Sequence, residues 1–203
     1  MKQILILSAI AVSLSIASAC SSSPETATTN RTANTNTANT ATTNAANATK
    51  ADDTPAAVKA IFPDAQSFTT QHKDVPADKI ASIEKDTSSK VPNKDHHSYL
   101  AFSTAGGARK QIGAATVVKA DGKDVIIVYD NKDGSPVIKE VRADGVPAPF
   151  LTQFAGKGHD NDLLLGADIK ASGANEAQAK AITEAVRVDV LTMQALYGAA
   201  HKH

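Results

Sequence analysis

A long tract without large apolar residues limits where this 203-residue chain can fold. Residues 21–53 consist mainly of Thr, Asn, Ala and Ser, and they contain no Leu, Ile, Val or aromatic residue. Such a segment cannot bury enough apolar surface to offset the conformational entropy that ordering costs. Asn-rich tracts can also aggregate, but Thr and Ala dilute the Asn here. We therefore predict a disordered tether over residues 20–53 and one folded domain over residues 54–203.

The segment before the tether has the pattern of an export signal. Lys2 is followed by a largely apolar run over residues 4–16 and then by small residues. The run is shorter than the roughly 20 residues that a membrane-spanning helix needs, and its flanks are typical of a secretory signal. We predict that residues 1–19 are a signal peptide.

The signal ends at Ile16-Ala17-Ser18-Ala19-Cys20, which resembles the lipoprotein box of bacteria. The resemblance implies lipidation of Cys20 and a lipid-anchored chain in the cell envelope. Ser21 stands where an Asp would favour the inner membrane, so the resemblance implies the outer membrane where one exists. Cys20 is the only cysteine, which excludes an internal disulfide. The alternative is an ordinary secretory signal followed by a chance cysteine.

Charge and aromatic content exclude one class of partner. The chain has 21 basic and 21 acidic residues, no Trp and few other aromatic residues. It has neither the basic stripe nor the stacking side chains that nucleic-acid binding requires. We expect no nucleic-acid partner.

The middle of the folded region predicts an antiparallel meander. Apolar strand patterns alternate with Gly-containing turns, of which Asp121-Gly122 and Asp133-Gly134 are hairpin signals. The predicted strands cover residues 99–102, 111–119, 124–130 and 136–141.

Helical patterns lie on both sides of these strands. Short helices are predicted over residues 56–62, 76–85 and 148–155, and a long amphipathic helix is predicted from the N-cap Asn175 to a stop at Gly198. Its apolar stripe consists of Ile182, Val186, Val190, Met193 and Tyr197. The predicted fold class is α+β, with an antiparallel sheet of about four or more strands, helices packed on one face and a long C-terminal helix.

Residues 137–191 resemble the FMN-binding domain of the flavin-carrying subunits of sodium-pumping NADH:quinone reductase and Rnf complexes. The family's F-x-x-Q-F-x-G-K motif matches Phe150-Leu151-Thr152-Gln153-Phe154-Ala155-Gly156-Lys157. Further matches follow in the family's order: Leu165-Gly166, Ser172-Gly173-Ala174-Asn175, Lys180-Ala181-Ile182 and Ala185-Val186-Arg187.

The resemblance implies a lipid-anchored electron carrier that binds FMN and exchanges electrons with a redox partner protein. The cofactor-binding residues it implies are Ser172, Gly173, Ala174 and Asn175. Flavinylated members end this turn with a Thr that is joined to the FMN phosphate. Asn175 has no hydroxyl, so the expected cofactor is non-covalent FMN. The alternative is a degenerate FMN-binding fold that acts as a flavin-free binding or structural lipoprotein.

No constellation of catalytic residues or metal ligands stands out in the sequence. Asp95, His96 and His97 are adjacent, but neighbouring histidines in a strand point to opposite faces. The loop over residues 159–162 lacks the Gly and Glu of a calcium-binding loop. Neither pattern predicts a metal centre.

Overall fold

The computed structural model describes residues 53–199. The predicted signal peptide, Cys20, all but the last residue of the predicted tether and residues 200–203 lie outside the described residues.

Two Asp-Gly turns organise the sheet. Asp121 and Gly122 have φ angles of 51° and 71°, and Asp133 and Gly134 have φ angles of 53° and 85°. Positive φ at both central residues is what a type I′ hairpin turn requires. The five strands form an antiparallel meander in sequence order. Their bounds are β1 Ser67–Asp74, β2 Asp95–Ser103, β3 Lys110–Ala120, β4 Lys123–Lys132 and β5 Ser135–Ala143.

The central strand β4 is buried on both faces. Val125, Ile127 and Tyr129 belong to one apolar core, whereas Ile126 and Val128 belong to the core on the opposite face. Because side chains alternate along a strand, a continuous apolar run places β4 between two layers.

The long helix covers one face of the sheet. It begins after Asn175, whose Oδ1 accepts a hydrogen bond from the Gln178 backbone N–H at 2.8 Å, and it ends at Gly198, so both predicted caps are confirmed. None of the helices within residues 53–199 is long and apolar enough to cross a membrane. The helices are α1 Ala56–Lys59, α2 Ala77–Thr87, α3 Ala148–Leu151 and α4 Glu176–Tyr197, and a 3-10 turn, Thr152–Phe154, follows α3.

The predicted α+β class is confirmed, with one difference in the placement of helices. Phe150 and Phe154, from α3 and the turn after it, share the core of α4, and α2 packs against α4. The short helix α1 instead covers the other face, where Val58 and Phe62 pack on Ala101 and Ala115. Both faces of β4 therefore have a helical layer, although the layer on the α1 side is small.

Candidate functional site

The sheet contains a gap where β2 separates from β3. The β2–β3 ladder starts at the pair Tyr99↔Ala115, whereas β2 pairs with β1 as far as Asp74↔Asp95. Among the described strands, residues 95–98 therefore pair with β1 alone, while β3 continues to Ala120. The separation leaves a space between the two strands.

This space is part of a cleft of about 540 Å³ between β2, β3, α4 and the loop over residues 89–93. Its wall exposes more apolar than polar surface. The aliphatic lining residues are Val91, Val117, Val118, Ala120, Ala181, Ala185 and Val188. Three polar lining residues are deeply buried, namely His96, Asp189 and Thr192, and the side chains of His96 and Asp189 are 11% and 3% exposed.

Asp189, in the middle of α4, accepts hydrogen bonds from three side chains. Thr116 Oγ1 and Tyr129 OH donate to its Oδ2 at 2.6 and 2.7 Å. His96 Nε2 lies 2.9 Å from its Oδ1. A buried carboxylate is tolerated when donors replace its water shell, and hydrogen bonds to a charged acceptor are among the strong ones. We call these four residues the Asp189 cluster.

The Asp189 cluster keeps its phenol protonated. Burial, followed by the charge of Asp189, raises the pKa of Tyr129 well above its usual value of 10.0. Tyr129 therefore remains a hydrogen-bond donor to the carboxylate at all physiological pH values.

His96 has one nitrogen without a partner. Its Nε2 faces Asp189, whereas its Nδ1 is buried and has no hydrogen-bond partner among the described residues. With the proton on Nε2, Nδ1 is an acceptor, and leaving such an atom buried and unpaired costs about 1–3 kcal/mol. The imidazole is therefore a polar group with a free acceptor atom in a residue that lines the cleft.

The predicted cofactor-binding residues form the turn before α4. Ser172 and Gly173 have φ angles of 45° and 91°. Ser172 Oγ accepts a hydrogen bond from Gln153 Nε2 at 3.0 Å, and Asn175 Oδ1 is occupied by the Gln178 amide. The Ala174 backbone N–H donates to the Ala171 carbonyl at 2.9 Å. These groups already serve the protein as a turn and a helix cap.

Gln153 ties that turn to the F-x-x-Q-F segment. Its Nε2 donates to the Lys170 carbonyl, and its Oε1 accepts from the Lys170 amide, both at 2.9 Å. Two sequence motifs that carry the family resemblance are therefore neighbours in space.

The turn does not fit the phosphate of a covalently attached FMN. Asn175 offers no hydroxyl, its side-chain oxygen caps the helix, and Glu176 adds a negative charge in the first turn. None of the residues 172–175 lines the cleft. The structure thus separates the turn that the sequence singled out from the cleft beside His96 and Asp189.

The remaining sequence candidates lie elsewhere. His96 turns towards α4, whereas His97 contacts Asp95 on the opposite face of β2, as strand alternation predicts. His159, Asn161 and Asp162 line a second cavity of about 310 Å³ together with Arg187. Cys20 lies outside the described residues.

Sequence analysis did not identify the Asp189 cluster. One signal was present: Asp189 lies three residues after Val186 and seven after Ile182, on the apolar stripe of the helix. A lone acid on a buried stripe indicates a buried polar contact. Its donors come from three strands and cannot be found from spacing in the sequence.

No protein-family model matches the chain, and neither a curated protein nor a solved structure is significantly similar to it. A function is therefore inferred from the cleft, the Asp189 cluster and the sequence motifs.

Proposed function

We propose that this chain is a lipid-anchored, extracytoplasmic binding module that takes a small, mainly apolar molecule into the cleft between β2, β3 and α4. The observation that carries the proposal is the buried His96–Asp189 pair in the wall of a cleft whose surface is mainly apolar. Ligand sites are typically apolar cavities of roughly 300–1,000 Å³ with a few polar groups that fix orientation. The cleft has this size, and its surface is mainly apolar.

The charges around the cleft disfavour an anionic ligand. Lys90 and Lys119 both line it, but each is paired with a carboxylate, from Glu84 and Asp124 respectively. A phosphate would have to compete with these carboxylates for the lysines. A molecule with an apolar body and one hydroxyl or N–H group would meet aliphatic walls and the His96 imidazole.

The predicted anchor suits this ligand class. Lipid chains on Cys20 would hold the domain at a membrane surface, where apolar molecules concentrate. A flexible tether of the predicted length, about 30 residues, would span on the order of 30 Å. The domain could then turn its cleft towards the membrane surface or away from it.

A second candidate function is the non-covalent FMN electron carrier, with a redox protein as its partner. The observation that favours it is the contact between Gln153 and Ser172, which joins the two motif segments shared with the FMN-binding family. FMN would supply the electron-transfer chemistry, and the chain would position it and exclude water. The occupied turn before α4 argues against this candidate.

Binding of two probes by the purified protein tests both functions. The first probe is the neutral apolar fluorophore N-phenyl-1-naphthylamine, and the second is FMN, followed by flavin fluorescence and visible absorbance. The substitution Ala185→Trp fills the cleft, and Ala177→Trp is the matched control on an exposed position of the same helix.

The binding module requires saturable binding of the apolar probe by the wild type and the control, and loss of binding in Ala185→Trp. Saturable binding of FMN that is lost in Ala185→Trp and kept in Ala177→Trp would instead support the electron carrier. If neither probe binds, or if Ala185→Trp binds as the wild type does, the cleft is not the functional site.

A further inference from the structure

The register of β1 and β2 brings two histidines together. His72 is the direct cross-strand partner of His97, and Asp74 is the partner of Asp95. Since side chains two residues apart share a face, all four lie on the same face of the two-strand ribbon. His96 lies on the opposite face with Asp189.

Three of these side chains converge on one point. Asp95 Oδ2 lies 2.9 Å from His97 Nε2 and 3.4 Å from His72 Nδ1. The two imidazole rings meet edge to face, with centroids 4.1 Å apart. One ligand atom from each residue can be chosen so that all three lie within 4.8 Å of one another.

These distances suit a small divalent cation. Nitrogen and oxygen ligands lie about 2.0–2.2 Å from Zn²⁺, so the ligand atoms of a tetrahedral site are roughly 3.4 Å apart. The Asp95–His72 distance already has this value, and the other separations need only small rotations of exposed side chains.

We propose that His72, Asp95 and His97 form a binding site for a divalent transition-metal ion of the zinc class. Two imidazoles and one carboxylate select such ions over Mg²⁺ and Ca²⁺, which prefer oxygen ligands alone. Three protein ligands leave at least one coordination position for water or for another molecule.

Access and charge support the site. The three side chains are 38%, 38% and 42% exposed, so an ion reaches them without any opening of the fold. Asp74 adds a second carboxylate on the same face, directly across from Asp95. Asp95 and His97 also line the cleft, which places the ion at its rim.

Titration of the purified protein with ZnCl₂, followed by calorimetry, tests the site. We expect one ion per chain. His72→Gln and His97→Gln should each raise the Kd by about tenfold or more, because losing even an outer-shell partner typically costs 10–100-fold in affinity. His159→Gln is the matched control, since His159 lies outside this cluster.

Other donors in the chain need their own control. A variant with Cys20→Ser, His201→Gln and His203→Gln removes the thiol and the C-terminal histidines, and it should bind Zn²⁺ as the wild type does. In that background, the Cu²⁺-loaded protein should show the electron paramagnetic resonance signature of two imidazole nitrogens. This measurement does not depend on how the His72 and His97 variants fold.

Three results would overturn the site: no saturable Zn²⁺ binding, an unchanged Kd in both His72→Gln and His97→Gln, or loss of binding in the control variant that keeps His72, Asp95 and His97. Fewer than two coordinated nitrogens in the Cu²⁺ spectrum would also overturn it.

Discussion

His96 in β2 and Asp189 in α4 are 93 residues apart in the sequence, and their side chains meet at 2.9 Å between Nε2 and Oδ1. His96 lies in the first part of β2, which is not paired with β3, and Asp189 lies in the middle of α4, which covers the sheet. With Thr116 and Tyr129 it gives a buried carboxylate three donors. The cleft therefore has a polar group in its wall whose position is fixed from both the sheet and the helix.

Replacing the carboxylate tests this arrangement. Asp189→Ala leaves three buried donors without their acceptor, and each unsatisfied group costs about 1–3 kcal/mol. We expect the free energy of unfolding to fall by about 3 kcal/mol or more, measured by urea denaturation. Asp160→Ala is the matched control, because that side chain is 87% exposed, and it should change stability by less than about 0.5 kcal/mol. Equal effects of the two substitutions would contradict the role given to Asp189.

The raised pKa of Tyr129 predicts a dependence of stability on pH. The unfolded phenol loses its proton near pH 10.0, whereas the folded phenol keeps it to higher pH. The folded state then binds more protons, so stability is complete below pH 10.0 and falls as the pH rises above it. The contribution of Tyr129 is a loss of about 1.4 kcal/mol per pH unit.

Tyr129→Phe isolates that contribution. Burial also raises the pKa of Tyr197, so the wild-type slope contains more than one phenol. Urea denaturation at a series of pH values above 9 gives the free energy of unfolding as a function of pH. Its slope should be shallower for the variant than for the wild type. Parallel slopes would mean that Tyr129 ionises as it does in the unfolded chain.

The small core under α1 depends on the absence of a side chain at Gly113. A Cβ at Gly113 would overlap the Phe62 ring, so Gly113→Ala forces the ring or the helix to move. Overpacking costs about 1–3 kcal/mol, which exceeds the roughly 0.4–1 kcal/mol gained by restricting the unfolded chain. We expect a net loss of stability. Gly106→Ala, with open space around it, should be neutral or slightly stabilising.

Gln153 should hold the turn before α4 in place. Gln153→Ala removes the hydrogen bonds to both backbone groups of Lys170 and to Ser172 Oγ. Amide hydrogen exchange should become faster over residues 170–175, with an overall loss of about 1–3 kcal/mol. Gln111→Ala, an exposed position in β3, is the control and should leave exchange in that turn unchanged.

Much of the fold was predictable because its signals are local. Asp-Gly turns and apolar runs define β3, β4 and β5, and Asn175 and Gly198 mark the ends of α4. Helix ends were less well predicted: the first helix was expected over residues 56–62 and ends at Lys59. The helix predicted over residues 148–155 is α3 followed by a 3-10 turn.

The first strand was not predicted because its sequence lacks the usual pattern. In β1, Phe68 is the only large apolar residue, and the strand is half-exposed at the edge of the sheet. Likewise β2 was expected to begin at Tyr99 and begins at Asp95, because its first four residues are polar. Both segments owe their conformation to pairing with each other, which is a tertiary contact.

Dependence on tertiary contacts also limits how far the Asp189 cluster and the proposed ion site can be predicted from the sequence. A turn at Ser172–Asn175 follows from local sequence, whereas the Asp189 cluster needs β2, β3, β4 and α4 in their final places. The prediction of no metal centre considered His96 with His97. The second imidazole that faces His97 comes from His72, 25 positions earlier in the chain, through the register of β1 and β2.

Residues 95–97 of β2 place their side chains alternately on the two faces of the strand. Asp95 and His97 contribute to the proposed ion site, while His96, between them, reaches α4. A molecule that displaces this segment from the β3 side moves all three side chains at once. Occupancy of the cleft and affinity for the ion are then thermodynamically linked, and each must change the other by the same factor.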